Sequence, residues 1–218
     1  MALCVCGGCA TTITPPRAPP DPIGIYVTDY GRHSSVLLPD PRGHLTEYAF
    51  GDWDWFALRH TAPLDAIGAL FFSKYSTLGR RQLKPEDGQN IDRITAATRA
   101  DKVAQIQVSR QRAELLLARL DAFYEAHIDT VTYTPASGLW FVRYPGNYGL
   151  FYNCNHVTAA WLRELGCEVR GTAMTSRFVI RLRERAAAKT TTTTMPASNP
   201  ARAGAKLGNR LTYGPAGG

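Results

Sequence analysis

Cys154 stands second in the run Asn153-Cys-Asn-His-Val-Thr-Ala-Ala-Trp-Leu-Arg-Glu-Leu165-Gly166, which reads as a helix. Asn153 is a capping residue, Val157, Trp161 and Leu165 recur four apart on one face, and Gly166 suits the left-handed turn just past the end. Cys154 therefore falls in the first turn, where the positive end of the helix dipole favours a thiolate and a nearby imidazolium favours it further. A thiolate attacks amide, ester and thioester carbonyls, and it needs a base. His33, far upstream, is the candidate. A disulfide between Cys154 and Cys167 is excluded, because a continuous helix over 154–165 separates them by on the order of 18–20 Å, against a limit of about 7 Å between bridged Cα atoms. The plain alternative for Cys154 is a small buried hydrophobe.

The elements that must position this pair follow from patterning. Ile23–Thr28 and Ser34–Leu38 are β-rich, Pro39-Asp-Pro-Arg-Gly43 is a turn signal, and Leu45–Phe50 alternates in the strand period. Folding 33–38 back on 45–50 about a turn centred near residue 41 brings His33 opposite residues close to 47–49. An imidazole serving a thiol needs an acceptor on its other nitrogen, so Glu47 is the first choice and Asp52 the second. His44 replaces Glu47 if the register differs, and an ordinary outward-facing strand residue is the other reading of Glu47. Backbone N–H groups at the start of the Cys154 helix, that of Cys154 included, are placed to receive an oxyanion. His156, two residues further along a helix, points away from the thiol. His60 and His127 read as surface histidines.

Thr61-Ala-Pro63 opens a helix with Leu64, Ile67, Leu70 and Phe71 on one face, and 172–182 returns as a strand. Lys102–Val108 alternates as a strand, after which Ser109 caps a helix carrying Leu116, Leu117, Leu120 and Phe123 or Tyr124. Together these predict one α+β domain over residues 23–185. Trp53, Asp52, Tyr152 and Asn153 flank the proposed site and would line a substrate groove. No His-Glu-x-x-His or paired Cys-x-x-Cys spacing points to a catalytic metal, and no P-loop, dinucleotide fingerprint or Gly-x-Ser-x-Gly points to a cofactor or a serine nucleophile.

Hydrophobic residues are 44% and charged residues 20% of the 218, an ordinary globular balance. Of the net charge of +7, four units belong to Lys189, Arg202, Lys206 and Arg210, so the folded part carries only +3 and no basic stripe. Nucleic acid is not an expected partner. Beyond Arg185 the chain turns to Ala, a Thr190–Thr194 run, Pro and Gly, and is expected to be a disordered basic tail over 186–218. Residues 1–22 run Met1-Ala-Leu-Cys-Val-Cys-Gly-Gly-Cys9 into a proline-rich stretch, resembling the end of a bacterial lipoprotein signal with Cys9 as the lipidated residue. The other readings of this leader are a disordered segment with chance cysteines, or a metal cluster of Cys4, Cys6 and Cys9.

Tyr152-Asn-Cys-Asn-His156 resembles the cysteine motif of circularly permuted papain-like proteins, such as the lecithin:retinol acyltransferase-like enzymes and the PPPDE-type isopeptidases. In those families the histidine comes first, on a strand, and the cysteine later, at a helix start; Gly31-Arg-His33-Ser-Ser-Val-Leu-Leu-Pro39 fits the histidine element. The stretch from Ile25 to about Phe178 is also similar to an uncharacterised bacterial family of urease-region hypothetical proteins. The matching pieces are Ile25-Tyr-Val-Thr-Asp-Tyr-Gly-Arg-His33, Glu47-Tyr-Ala-Phe-Gly-Asp52-Trp53, Ala69-Leu-Phe-Phe72 and the Cys154 motif. Arg32 and His156 depart from that pattern, where an aromatic and a threonine are usual.

The resemblance implies a permuted papain-like fold, an antiparallel sheet with the cysteine-bearing helix packed on it. It also implies a Cys154–His33 thiol hydrolase or acyltransferase with Glu47 as third member. With the leader, the expected place is the cell envelope, on a lipid anchor, and the expected form a monomer. Its substrate class would be peptide, peptidoglycan or lipid acyl groups. The alternative is a non-catalytic envelope module that binds peptide or glycan on the same fold.

Overall fold

The structure, a computed structural model, describes residues 10–57, 75–146, 148–149 and 152–181. The expected 61–71 helix, Cys9, His60 and the 186–218 tail lie outside these residues. The strands, in chain order, are β1 (Thr11–Thr14), β2 (Pro22–Asp29), β3 (Ser34–Pro39), β4 (Leu45–Asp52), β5 (Ser76–Gln82), β6 (Lys102–Ser109), β7 (Thr132–Thr134), β8 (Leu139–Tyr144), β9 (Glu168–Arg170) and β10 (Phe178–Ile180). The α-helices are α1 (Ile91–Thr98), α2 (Arg110–Ala126) and α3 (Cys154–Glu164), and a single π turn spans Trp53–Ala57. The domain is mixed α+β.

Strands β6-β2-β3-β4-β5-β8-β7, in that order, make one antiparallel sheet, and β10-β1-β9 make a small second one. The sequence reading ends the leader at residue 22, yet Thr11–Thr14 is a strand, parallel to β10 and antiparallel to β9. Ile13 is the reason: it is fully buried in the main core, so this short segment gains enough apolar burial to be held.

Every residue of β3 and β4 is buried, as expected for central strands covered on both faces. On one face Val36, Leu38, Tyr48 and Phe50 meet α2 through Leu116 and Leu120, and α3 through Val157 and Trp161. On the other, Leu37 and Leu45 pack with Ile94 of α1, while Ala49 packs with Trp53, Ala57 and Phe141. Gly79 of β5 makes room for that second layer, since a Cβ there would sit 2.5 Å from the Phe141 ring.

Between these two small clusters lies a buried polar knot. Glu47 is fully buried and faces Arg81 across the β4–β5 pair. It accepts from Tyr30 Oη at 2.5 Å, Ser35 Oγ at 2.6 Å and Arg81 Nε at 3.0 Å, and it is bonded to Arg81 Nη2 as well. Arg81 Nη1 also donates to the carbonyls of Ala97 and Ser137, tying α1 and the turn before β8 to the sheet. A buried carboxylate is tolerable only with such complete pairing.

Candidate functional site

The site is built from the two ends of one latch. Asn153 is in the extended conformation and caps α3, its Oδ1 accepting from the N–H groups of Asn155 at 3.0 Å and His156 at 3.2 Å. Ser34 Oγ donates to Asn155 Oδ1 at 2.9 Å, and Thr158 Oγ1 donates to the Ser34 carbonyl at 3.2 Å. These buried bonds fasten the first turns of α3 to the residue that follows His33. Asn153 therefore serves as a cap, where a substrate contact was expected.

The Cys154 sulfur rests against the peptide groups on either side of His33. Its thiol donates to the Arg32 carbonyl at 3.9 Å, the Ser34 N–H faces it, and the Tyr148 hydroxyl donates to it at 3.6 Å. Burial pushes the thiol up from its ordinary value, opposed by Tyr148 and by the N–H groups of Ser34, Asn155 and Cys154. The expected lowered value is thus corrected. With Cys154 2% exposed, desolvation outweighs the helix terminus, and the resting group is a neutral thiol.

His33 is 9% exposed, its ring packed on Phe56 at 4.8 Å and near Tyr30 at 5.9 Å between centroids. Burial alone lowers it to about 4, so at neutral pH it is the free base. Its Nδ1 is buried with no hydrogen-bond partner, and no hydrogen bond joins the ring to Cys154. His33, Asp52, Phe56 and Tyr148 line one cleft of about 550 Å³. Cys154 itself is buried behind this lining and touches it through Tyr148 and the Arg32 carbonyl, so the pair is a protonated thiol and a neutral imidazole, not a preformed ion pair.

Glu47 does not orient His33. The observed register pairs Leu37 with Glu47 and Ser35 with Ala49, which carries His33 level with Gly51, and Glu47 spends its oxygens on Arg81, Tyr30 and Ser35. The carboxylate beside His33 in the cleft is Asp52, the second choice. It is buried, and its Oδ1 accepts from the Trp55 N–H at 2.7 Å, fixing the start of the π turn. Trp53, expected in the groove, is 5% exposed and belongs to the core beneath β4, while the next aromatics, Trp55 and Phe56, line the cleft. A π turn places residues off the 3.6-residue period, so this exchange was not readable from spacing. Tyr152 is exposed, edge-on to Phe50, and outside the cleft lining.

His44 pairs with Asp40 at 3.3 Å within the hairpin turn, and His127 closes α2 by bonding the Phe123 carbonyl at 2.9 Å, so neither joins the site. His156 Nδ1 is buried without a partner, away from the sulfur contacts. Cys154 and Cys167 are both free thiols. Tyr148, in the aromatic 140–152 stretch that the sequence places beside the site, lines the cleft and touches the sulfur, a contact that residue type alone does not single out. No group of three or more His, Cys, Asp or Glu among the described residues is arranged to hold a metal ion.

No family model matches the chain, and no curated protein or solved structure matches it. Fold and site together define a mixed α+β domain with a large antiparallel sheet, carrying a buried helix-start cysteine that touches Tyr148, a residue lining a histidine-bearing cleft.

Proposed function

We propose that this domain is a cell-envelope thiol hydrolase or acyltransferase on a permuted papain-like fold. One observation carries the reading: the Cys154 sulfur, in the first turn of α3, is held between the peptide groups flanking His33 and the hydroxyl of a cleft residue, Tyr148. The sulfur adds to an ester, thioester or amide carbonyl, and its proton passes to neutral His33, while the Tyr148 hydroxyl hydrogen-bonds the sulfur. Collapse of the tetrahedral adduct expels the leaving group, which takes that proton, and leaves an acyl thioester on Cys154. Water then yields an acid, or an acceptor nucleophile yields a transferred acyl group. Asp52, in the lining of the same cleft, supplies the negative charge that favours the imidazolium formed midway. The order of a histidine near a strand and a later cysteine on a helix supports the family reading. The envelope address rests on the lipoprotein-like leader at Cys9.

The test is acyl-enzyme trapping. Wild type incubated with p-nitrophenyl butyrate should gain one butyryl mass located on Cys154, and Cys154→Ala should lose at least about a thousandfold in kcat/KM. Turnover that survives Cys154→Ala overturns the reading. The non-catalytic alternative draws on the raised thiol and the missing sulfur–imidazole bond. It is the better account if no acyl adduct forms at any pH up to 9.

A further inference from the structure

Two guanidinium groups at the cleft have no side-chain partner among the described residues. Arg32 and Arg99 are exposed residues that line the same cleft as His33 and Tyr148. Among the described residues neither guanidinium makes a hydrogen bond or an ion pair, although other arginines, such as Arg80, Arg110 and Arg119, hold a carboxylate. The acid in the lining, Asp52, is 1% exposed and already accepts from the Trp55 N–H, so the accessible charge of the cleft is positive.

Arg99 stands out further. It caps α1 with φ 59° and ψ 29°, a left-handed conformation that glycine adopts more cheaply than any residue with a Cβ. The end of α1 does not need its charge, because half-buried Arg81 already donates to the Ala97 carbonyl at 3.2 Å and the Thr98 carbonyl at 3.4 Å. The helix terminus therefore explains the left-handed backbone, whose N–H donates to the Thr95 carbonyl at 2.8 Å, but not the choice of an arginine side chain there. Arg32 is the residue whose carbonyl receives the Cys154 thiol, so its guanidinium starts within one side chain's length of the nucleophile.

We propose that Arg32 and Arg99 recognise a carboxylate on the acyl group, so that the cleft takes acidic acyl substrates in preference to neutral ones. A planar guanidinium matches a carboxylate in a forked pair, and a cleft with apolar walls such as Phe56 and Trp55 strengthens the attraction by excluding water. The word substrate rests on the thiol-acyl reading above; the binding preference does not.

The binding arm uses the full chain carrying Cys154→Ala, titrated at low ionic strength with glutaramic acid and with its neutral counterpart valeramide, followed by calorimetry. The acid should bind about tenfold more tightly, as a charge-assisted pair provides. Arg32→Gln and Arg99→Gln should each reduce that ratio, and the double variant should abolish it. Arg99→Gly supplies a second readout, since it relieves the backbone and should raise stability while still weakening the acid. Equal affinities for the two amides, or a preference that persists in the double variant, overturns the proposal. The kinetic arm compares the p-nitrophenyl hemiester of succinic acid with p-nitrophenyl butyrate on wild type. Cys154-dependent hydrolysis of both at equal kcat/KM sinks the carboxylate preference and leaves the thiol chemistry standing. Selective binding of the acid without Cys154-dependent hydrolysis has the opposite meaning.

Discussion

The Tyr148 hydroxyl lies 3.6 Å from the Cys154 sulfur while the same side chain lines the cleft that holds His33, so one phenol touches the nucleophile and shares a cleft with the base. Its hydrogen bond opposes the burial that raises the thiol. Tyr148→Phe should therefore push the thiol higher and slow its alkylation by iodoacetamide at pH 7.5 severalfold, with a stability change within about 1.5 kcal/mol. Cys167, which burial pushes up to about 11, serves as the slow internal reference when each cysteine is followed by mass spectrometry. Equal Cys154 rates in the two proteins would show that the phenol does not act on the sulfur.

His33 gives stability a pH dependence whose sign is fixed by burial. Its folded value of about 4 lies below the ordinary 6.5, so between those limits the unfolded chain binds a proton that the native one refuses. Its contribution is full above pH 6.5 and is lost as pH falls toward 4, in all on the order of 3 kcal/mol. Urea unfolding from pH 4 to 7.5 should show wild-type stability falling more steeply toward acid than that of His33→Gln. Parallel curves would mean that His33 is solvated.

Glu47 was expected to serve the imidazole and instead neutralises Arg81. Glu47→Ala strands a guanidinium whose side chain is only 15% exposed, along with the Tyr30 and Ser35 hydroxyls, and should cost about 3–5 kcal/mol. Glu47→Gln keeps part of the hydrogen bonding and should cost less. In the folded fraction of Glu47→Gln the pH profile of any esterase activity should match wild type. A shifted profile with little loss of stability would restore Glu47 to the catalytic group.

What the sequence made legible was local. The α3 cap, its apolar face and the left-handed Gly166 at φ 91° follow from residues adjacent in the chain, as do β2, β3, β4 and β6. Strand β5 was not assigned, because Ser76-Thr-Leu-Gly-Arg-Arg-Gln82 has its glycine for Phe141 and its Arg81 for Glu47, both remote in sequence. The preference for Glu47 over Asp52 beside His33 was an error of register. The hairpin turns about residue 42, where the pairing of Leu37 with Glu47 and of Ser35 with Ala49 is centred, and not 41, a shift that exchanges Glu47 for the neighbourhood of Asp52. Burial at the site, which reverses the expected sign for Cys154, depends on the π turn and on Tyr148, and neither has a periodic signature.

Gly51 is the position where that burial is most exposed to a single methyl group. A Cβ there would lie 2.5 Å from Cδ2 and 2.9 Å from Cγ of Phe56, and the Phe56 ring in turn packs on His33 at 4.8 Å. The ring has little freedom to retreat, since it stands in a π turn whose first residues are held by the bond from Trp55 N–H to Asp52. Gly51→Ala should therefore cost about 1–3 kcal/mol by overpacking and displace Phe56 from the imidazole. Burial is the sole cause of the low His33 value, so displacement should return it toward 6.5, a change read directly from the His33 Cε1 proton shift in an NMR titration. Phe56→Ala should raise the His33 value in the same way, and Gly51→Ala combined with Phe56→Ala should relieve the clash without lowering it again. A His33 midpoint that stays near 4 in Gly51→Ala and Phe56→Ala alike would show that residues other than Phe56 keep water from the ring.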